Sequence, residues 1–159
     1  MLLEGDTTKV VTGSADPSLR LWDCETGKCL NVLKAKTSVR TTLFSYSGKL
    51  ILYTTDDQMG ITPEINIIDV NSGEHINDIS ILKGAKTDNL SKVLASLWGL
   101  LDETFITGDE AGFITHWDMR NYEIIKEVKA HQSQINDLQY NNDQTLFVSA
   151  SKDKTAKVN

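Results

Sequence analysis

Apolar and polar residues alternate along this chain in short runs, and turn-forming residues close the runs. Val39–Phe44 leads into Ser45-Tyr46-Ser47-Gly48, Val93–Trp98 into Gly99-Leu100-Leu101-Asp102, and Ile135–Tyr140 into Asn141-Asn142-Asp143-Gln144. The stretches 9–12, 50–57, 103–107 and 145–149 read as the strands that follow. A period of two sends successive side chains to opposite faces, as in a half-buried strand. No long stretch keeps the period of about 3.6 residues that marks a helix. The pattern predicts an all-β chain with very little helix.

A longer repeat overlies the alternation. Residues 12–23 read TGSADPSLRLWD, residues 107–118 read TGDEAGFITHWD, and residues 149–159 read SASKDKTAKVN. Each places small residues before a turn and then an alternating strand. The first two end at Trp22-Asp23 and Trp117-Asp118. Between them, 50–57 and 64–70 form a degenerate copy, with Ile68-Asp69 where the others carry Trp-Asp. Trp22 to Ile68 is 46 residues, Ile68 to Trp117 is 49, and Trp117 to Asn159 is 42. A four-stranded propeller blade repeats every ~40–45 residues, so the longer spacings carry insertions. Turns at 25–28, 71–74 and 120–123 follow each motif, and Gly27 and Gly73 suit the positive φ such turns need. The expected units are about 1–36, 37–84, 85–130 and 131–159, the first and last incomplete. Met1-Leu2-Leu3 is expected as a remnant of an inner strand, and residues 83–92 as a loop.

Chains with such repeats are similar to WD-repeat β-propellers. There, a Trp on the third strand, a Ser or Thr on the second, an Asp in the turn between them and a His before the first strand form one hydrogen-bonded set. The indole N–H needs an acceptor when buried, a hydroxyl both accepts and donates, and a carboxylate fixes the second imidazole nitrogen. The resemblance assigns this structural role to Thr12, Asp16 and Trp22 in the first unit. It assigns Thr107 and Trp117 in the third, where Ala111 replaces the Asp, and His131, Ser149 and Asp153 in the last, where Asn159 stands in the Trp position. The second unit carries none of the set clearly.

Composition changes this picture little but excludes other classes. The chain has 159 residues, 40% hydrophobic and 24% charged, which suits a globular domain rather than a disordered segment. The formal net charge is −6 and no basic block stands out, so nucleic acid is not an expected direct partner. No secretory leader and no apolar run long enough to span a membrane is read, and the two cysteines, Cys24 and Cys29, are expected as free thiols rather than a cross-hairpin disulfide. A cytoplasmic protein is expected. The sequon Asn89-Leu90-Ser91 then carries no meaning.

No catalytic constellation is expected. His75, His116 and His131 lack metal-ligand spacing, and neither a phosphate-binding glycine loop nor a nucleophile elbow is present. Asp102, Glu103, Asp109 and Glu110 read as solvated turn residues. No cofactor and no metal are expected.

The runs at 10–28, 38–60, 96–112 and 135–157 resemble, in order, the WD-repeat subunit i family of eukaryotic translation initiation factor three. TTDDQMG and ASKDKTAK are the more particular stretches. The family is also similar to a receptor-kinase-associated WD-repeat protein. The resemblance implies a seven-bladed ring, of which this chain holds about four blades as a fragment. It implies a noncatalytic scaffold that helps assemble the factor on the small ribosomal subunit, with subunits b and g as partners. A basic tail of subunit b needs acidic acceptors, and Asp137 and Asp153, with Lys152 and Gln134 beside them, are the candidate contact. A WD-repeat adaptor for a serine/threonine receptor kinase is the alternative.

Overall fold

The structure is a computed structural model and describes residues 8–77 and 91–159. Met1-Leu2-Leu3, most of the 83–92 loop, and Asn89 and Leu90 of the sequon lie outside the described residues. The chain divides into two compact units, Met1–Ser80 and Ile81–Asn159.

The first unit holds two antiparallel sheets. One is β1 (Lys9–Gly13), β2 (Ser18–Asp23) and β3 (Cys29–Lys34), and the other is β4 (Val39–Phe44), β5 (Leu50–Thr55), β6 (Ile65–Asp69) and β7 (His75–Asn77). The strands pair in sequence order. The core between the sheets joins Leu19 and Leu21 of β2 to Val39, Ile51, Tyr53 and Ile68. Alternation explains this: the apolar positions of β2 sit two apart and share a face.

The second unit repeats the arrangement. One sheet is β8 (Val93–Trp98), β9 (Thr104–Asp109), β10 (Phe113–Asp118) and β11 (Ile124–Lys129), and the other is β12 (Ile135–Tyr140), β13 (Phe147–Ser151) and β14 (Ala156–Val158). Its core joins Ala95, Ile106, Ile114 and Ala130 to Ile135 and Leu138. Among the described residues there is no α-helix, only a short 3-10 turn at Leu100–Asp102.

One glycine sets the approach of the sheets in each unit. A Cβ on Gly13 would meet Val39 Cγ1 at 2.4 Å, and a Cβ on Gly108 would meet Ile135 Cγ2 at 2.7 Å. Both precede the turn into the third strand position of their repeats, and both touch the first residue of the next sheet. The repeat therefore extends to packing as well as to sequence.

A feature without any mark in the sequence also recurs. The pairing of β4 with β5 shifts between Val39 and Thr41, that of β8 with β9 between Val93 and Ala95, and that of β12 with β13 between Ile135 and Asp137. Each bulge bends the strand after its first residue. β13 also starts later than the sequence pattern predicts, at Phe147 instead of residue 145. The Asp143 carboxylate accepts the Thr145 amide (3.2 Å) and Asn141 Oδ1 accepts the Leu146 amide (2.9 Å), which holds these residues in the turn.

Candidate functional site

The side chains that the repeat brings together form clips within sheets. In the first sheet Trp22 Nε1 donates to Thr12 Oγ1 at 2.9 Å. Thr12 is exposed and Trp22 half-buried in this sheet. Asp16 is not drawn into the clip. Its carboxylate accepts from Ser18 Oγ and faces Arg20 (3.7 Å), which closes the β1–β2 turn. In the third sheet Trp117 Nε1 donates to Thr107 Oγ1 at 2.9 Å, and both residues are buried. In the second sheet the matching positions hold Tyr53 and Ile68, 4% and 1% exposed, so apolar packing replaces a polar pair.

The last sheet carries the most complete set. His131 Nε2 lies 2.8 Å from Ser149 Oγ, and its Nδ1 lies 3.0 Å from Asp153 Oδ2 and 3.0 Å from Thr155 Oγ1. Asn159 Nδ2 donates to Ser149 Oγ at 3.0 Å, where an indole N–H bonds in the other sheets. A ring with its proton on Nδ1 satisfies this geometry, donating to the carboxylate and accepting from the hydroxyl. Asp153 Oδ2 also accepts the Gln132 amide (3.0 Å), and Oδ1 accepts the Thr155 amide (2.9 Å) and hydroxyl (2.6 Å). The Thr155 hydroxyl first, and then the Gln132 and Thr155 amides, hold the Asp153 carboxyl well below the usual carboxylate range.

The four rim residues named from the sequence fall into three settings. Asp153 is engaged through both oxygens, as above. Gln134 and Lys152 are adjacent: the Lys152 amide donates to the Gln134 carbonyl at 3.0 Å, and Gln134 Nε2 donates to Asn136 Oδ1 at 2.8 Å. Asp137 is exposed just past the β12 bulge and accepts the Leu138 amide at 2.9 Å.

The aspartate that closes each Trp-Asp or Ile-Asp pair has a local task that the sequence reading did not assign. Asp23 Oδ1 accepts the Thr26 amide (2.7 Å), Asp69 Oδ1 accepts the Asn71 (2.8 Å) and Ser72 (2.9 Å) amides, and Asp118 Oδ1 accepts the Arg120 amide (2.8 Å). Each closes the turn into the next strand, β3, β7 or β11. The recurrence of Asp three residues or fewer before Thr, Ser or Arg was the available signal.

Arg120 also grips the Asp118 carboxylate with its guanidinium, Nη2 to Oδ2 at 2.5 Å. The Arg120 side chain, and after it the Arg120 amide, lowers the Asp118 carboxyl from 3.8 to about 2. A carboxyl whose folded pKa is depressed stabilises the fold fully above its unfolded value and loses that contribution as pH falls through the folded one. Thermal melts should therefore fall between pH ~3.8 and ~2. Asp118→Asn should make that fall shallower, the remainder coming from other lowered carboxyls such as Asp153, which a pH series of melts on both proteins checks.

Of the acidic neighbours expected in solvated turns, Asp109 departs. It ends β9 half-buried and accepts the Phe113 amide at 2.7 Å. Burial pushes its carboxyl up, opposed by the Phe113 and Gly112 amides. The second unit holds a cavity of about 370 Å³ lined by Ile106, Ile114, His116, Lys126, Val128, Ala130, Phe147 and Asn159. Burial lowers the pKa of His116 in this lining, opposed by the nearby Asp118 carboxylate. Among the described residues, no group of three or more His, Cys, Asp or Glu side chains is placed to hold a metal ion. None of their helices is long and apolar enough to cross a membrane. Cys24 and Cys29 are exposed free thiols.

These sheets, with a Trp-to-hydroxyl clip and an Asp-closed turn recurring among them, define a WD-repeat chain. Residues 122–158 match the family model described as "WD domain, G-beta repeat". The fold is an all-β, partial WD-repeat propeller. A computationally designed protein, Ika4, has a solved structure similar to it at a TM-score of 0.73 and 21% identity, over 96% of this chain and 85% of that one. Within the WD-repeat class, the chain is similar to eukaryotic translation initiation factor 3 subunit I. It is 46% identical to that subunit of Bombyx mori over 158 residues, covering 98% of this chain and 47% of the relative. The Homo sapiens subunit is 44% identical over 154 residues, covering 96% of this chain and 47% of the relative. The chain spans about half the length of the curated relatives it matches.

Proposed function

We propose that this chain acts as a noncatalytic scaffold of the cytoplasmic translation initiation factor 3 complex, supporting assembly on the small ribosomal subunit through protein contacts with the b and g subunits. The observation that carries the reading is the similarity to subunit I over nearly the whole chain at 46% identity. The architecture supports it: hydrogen-bonded sheets hold loops rigidly, and partners read loops.

The rim formed by Asp137, Gln134, Lys152 and Asp153 is the proposed contact for a basic segment of subunit b. Within it, Asp137 is the exposed acidic acceptor, while Asp153 holds the backbone of the rim in place through Gln132 and Thr155. Asp137→Lys should weaken capture of the C-terminal segment of subunit b by roughly tenfold without moving the melting temperature, because a rim charge acts on association more than on folding. Equilibrium binding by fluorescence anisotropy reads the first quantity and calorimetry the second. Unchanged binding removes Asp137 from the contact. Failure of the unaltered chain to join any of the factor's subunits removes the scaffold reading.

A further inference from the structure

The last sheet repeats the aromatic row of its neighbour with one ring missing. In the β8–β11 sheet Phe105 lies between two indoles, stacked on Trp117 at 5.8 Å with 12° between planes and tilted against Trp98 at 6.0 Å. In the last sheet Phe147 stands opposite Tyr140, as Phe105 stands opposite Trp98, and the two rings meet edge to face at 6.0 Å. On its other side Phe147 exchanges backbone hydrogen bonds with Asn159, 3.1 and 2.8 Å. That is the place Trp117 takes opposite Phe105. Asn159 reproduces the polar half of the indole's task, donating from Nδ2 to Ser149 Oγ at 3.0 Å as Trp117 Nε1 does to Thr107. It does not supply a ring. The cavity of about 370 Å³ lies against both Phe147 and Asn159, with Ile114 and Val128 of the β8–β11 sheet in its wall. An apolar cavity of ~150 Å³ accepts a benzene ring, so this one has room for a two-ring aromatic group.

The charge at the cavity narrows the ligand. His116 and Lys126 face each other across β10 and β11, and both line it. Among the described residues no carboxylate pairs with Lys126. Lys157 Nζ donates to the carbonyl of Ala130, another wall residue. The Asp118 carboxylate near His116 is gripped by the Arg120 guanidinium. The local charge is therefore positive, although the chain as a whole carries −6. We propose that this cavity binds a small aromatic carboxylic acid, its flat ring lying on Phe147 where the neighbouring sheet stacks an indole, and its carboxylate held by Lys126. Ring stacking rewards a flat ligand over a branched apolar one of equal volume, and the cation separates an acid from a neutral ring. None of the residues proposed above for subunit b lines the cavity.

The test titrates the full chain with indole-3-propionate by calorimetry, beside the neutral amide of the same acid. The acid should bind saturably, one to one, and the amide roughly three- to fivefold more weakly. Lys126→Met should remove that difference. Asn159→Trp sets an indole in the place of the ligand's ring and should abolish binding. Phe147→Leu keeps apolar bulk but removes the stacking face, and should weaken the acid by about threefold or more. A thermal melt checks that each variant is folded, and Phe147→Leu decides where Asn159→Trp is not. No saturable binding by the unaltered chain overturns the site, as does binding that a folded Asn159→Trp or Phe147→Leu leaves unchanged. Equal affinity for acid and amide overturns the assignment of a carboxylate ligand.

Discussion

Replacing His131 with alanine is expected to cost about 2–4 kcal/mol of unfolding free energy. The imidazole is 2% exposed, and Ser149 beneath it is 0% exposed. Without the ring, Ser149 Oγ still accepts from Asn159, but its own proton is left with only the Lys157 carbonyl at 3.4 Å. A buried hydroxyl that poorly paired costs ~1–3 kcal/mol. Asp153 loses the ring nitrogen at 3.0 Å but keeps three donors, from Gln132 and Thr155. The emptied ring volume adds to the loss. Ser149→Ala should cost less, about 1 kcal/mol, and a cycle of the two single variants and the double should show coupling. Denaturant titration gives all four values. Additive losses would mean that the ring acts by volume alone and that the hydrogen-bonded set contributes nothing.

The fold was legible because β structure and the blade period leave marks in residue type. Alternation at Val39–Phe44, Val93–Trp98 and Ile135–Tyr140 returned strands with those bounds. The pairing of Trp22 with Thr12, and of Trp117 with Thr107, was legible through the resemblance to WD-repeat propellers, whose set joins a Trp on the third strand to a Ser or Thr on the second. Other features carried no such mark. The bulges fall at Arg40, Leu94 and Asn136, three residues with no chemistry in common, since a bulge is set by backbone pairing and not by side chain. Asp153 read both as clip and as rim, because the amides that engage it belong to Gln132 and Thr155, and only the folded backbone brings Gln132 near. The delayed start of β13 reflects side-chain capture by Asn141 and Asp143, which competes locally with the strand. Motif chemistry is thus visible in the sequence where a side chain satisfies a side chain, and hidden where the backbone decides.

Phe105→Ala should cost about 3–5 kcal/mol of unfolding free energy. Phe105 is 0% exposed and lies between two indoles, stacked on Trp117 at 5.8 Å with 12° between planes and tilted against Trp98 at 6.0 Å. Truncating a buried Phe costs ~3–5 kcal/mol through lost transfer energy and the cavity left behind. Phe105→Leu keeps the space filled and should cost about 1–1.5 kcal/mol. The chain has three tryptophans, two of them in this stack, so near-ultraviolet circular dichroism reports the change directly. Loss of most of that signal in Phe105→Ala with a retained far-ultraviolet spectrum is the expected outcome, since the sheet hydrogen bonds do not depend on the ring. A collapse of both spectra together would instead mean that the aromatic stack holds the sheet itself, and that the Trp117–Thr107 clip cannot maintain it alone.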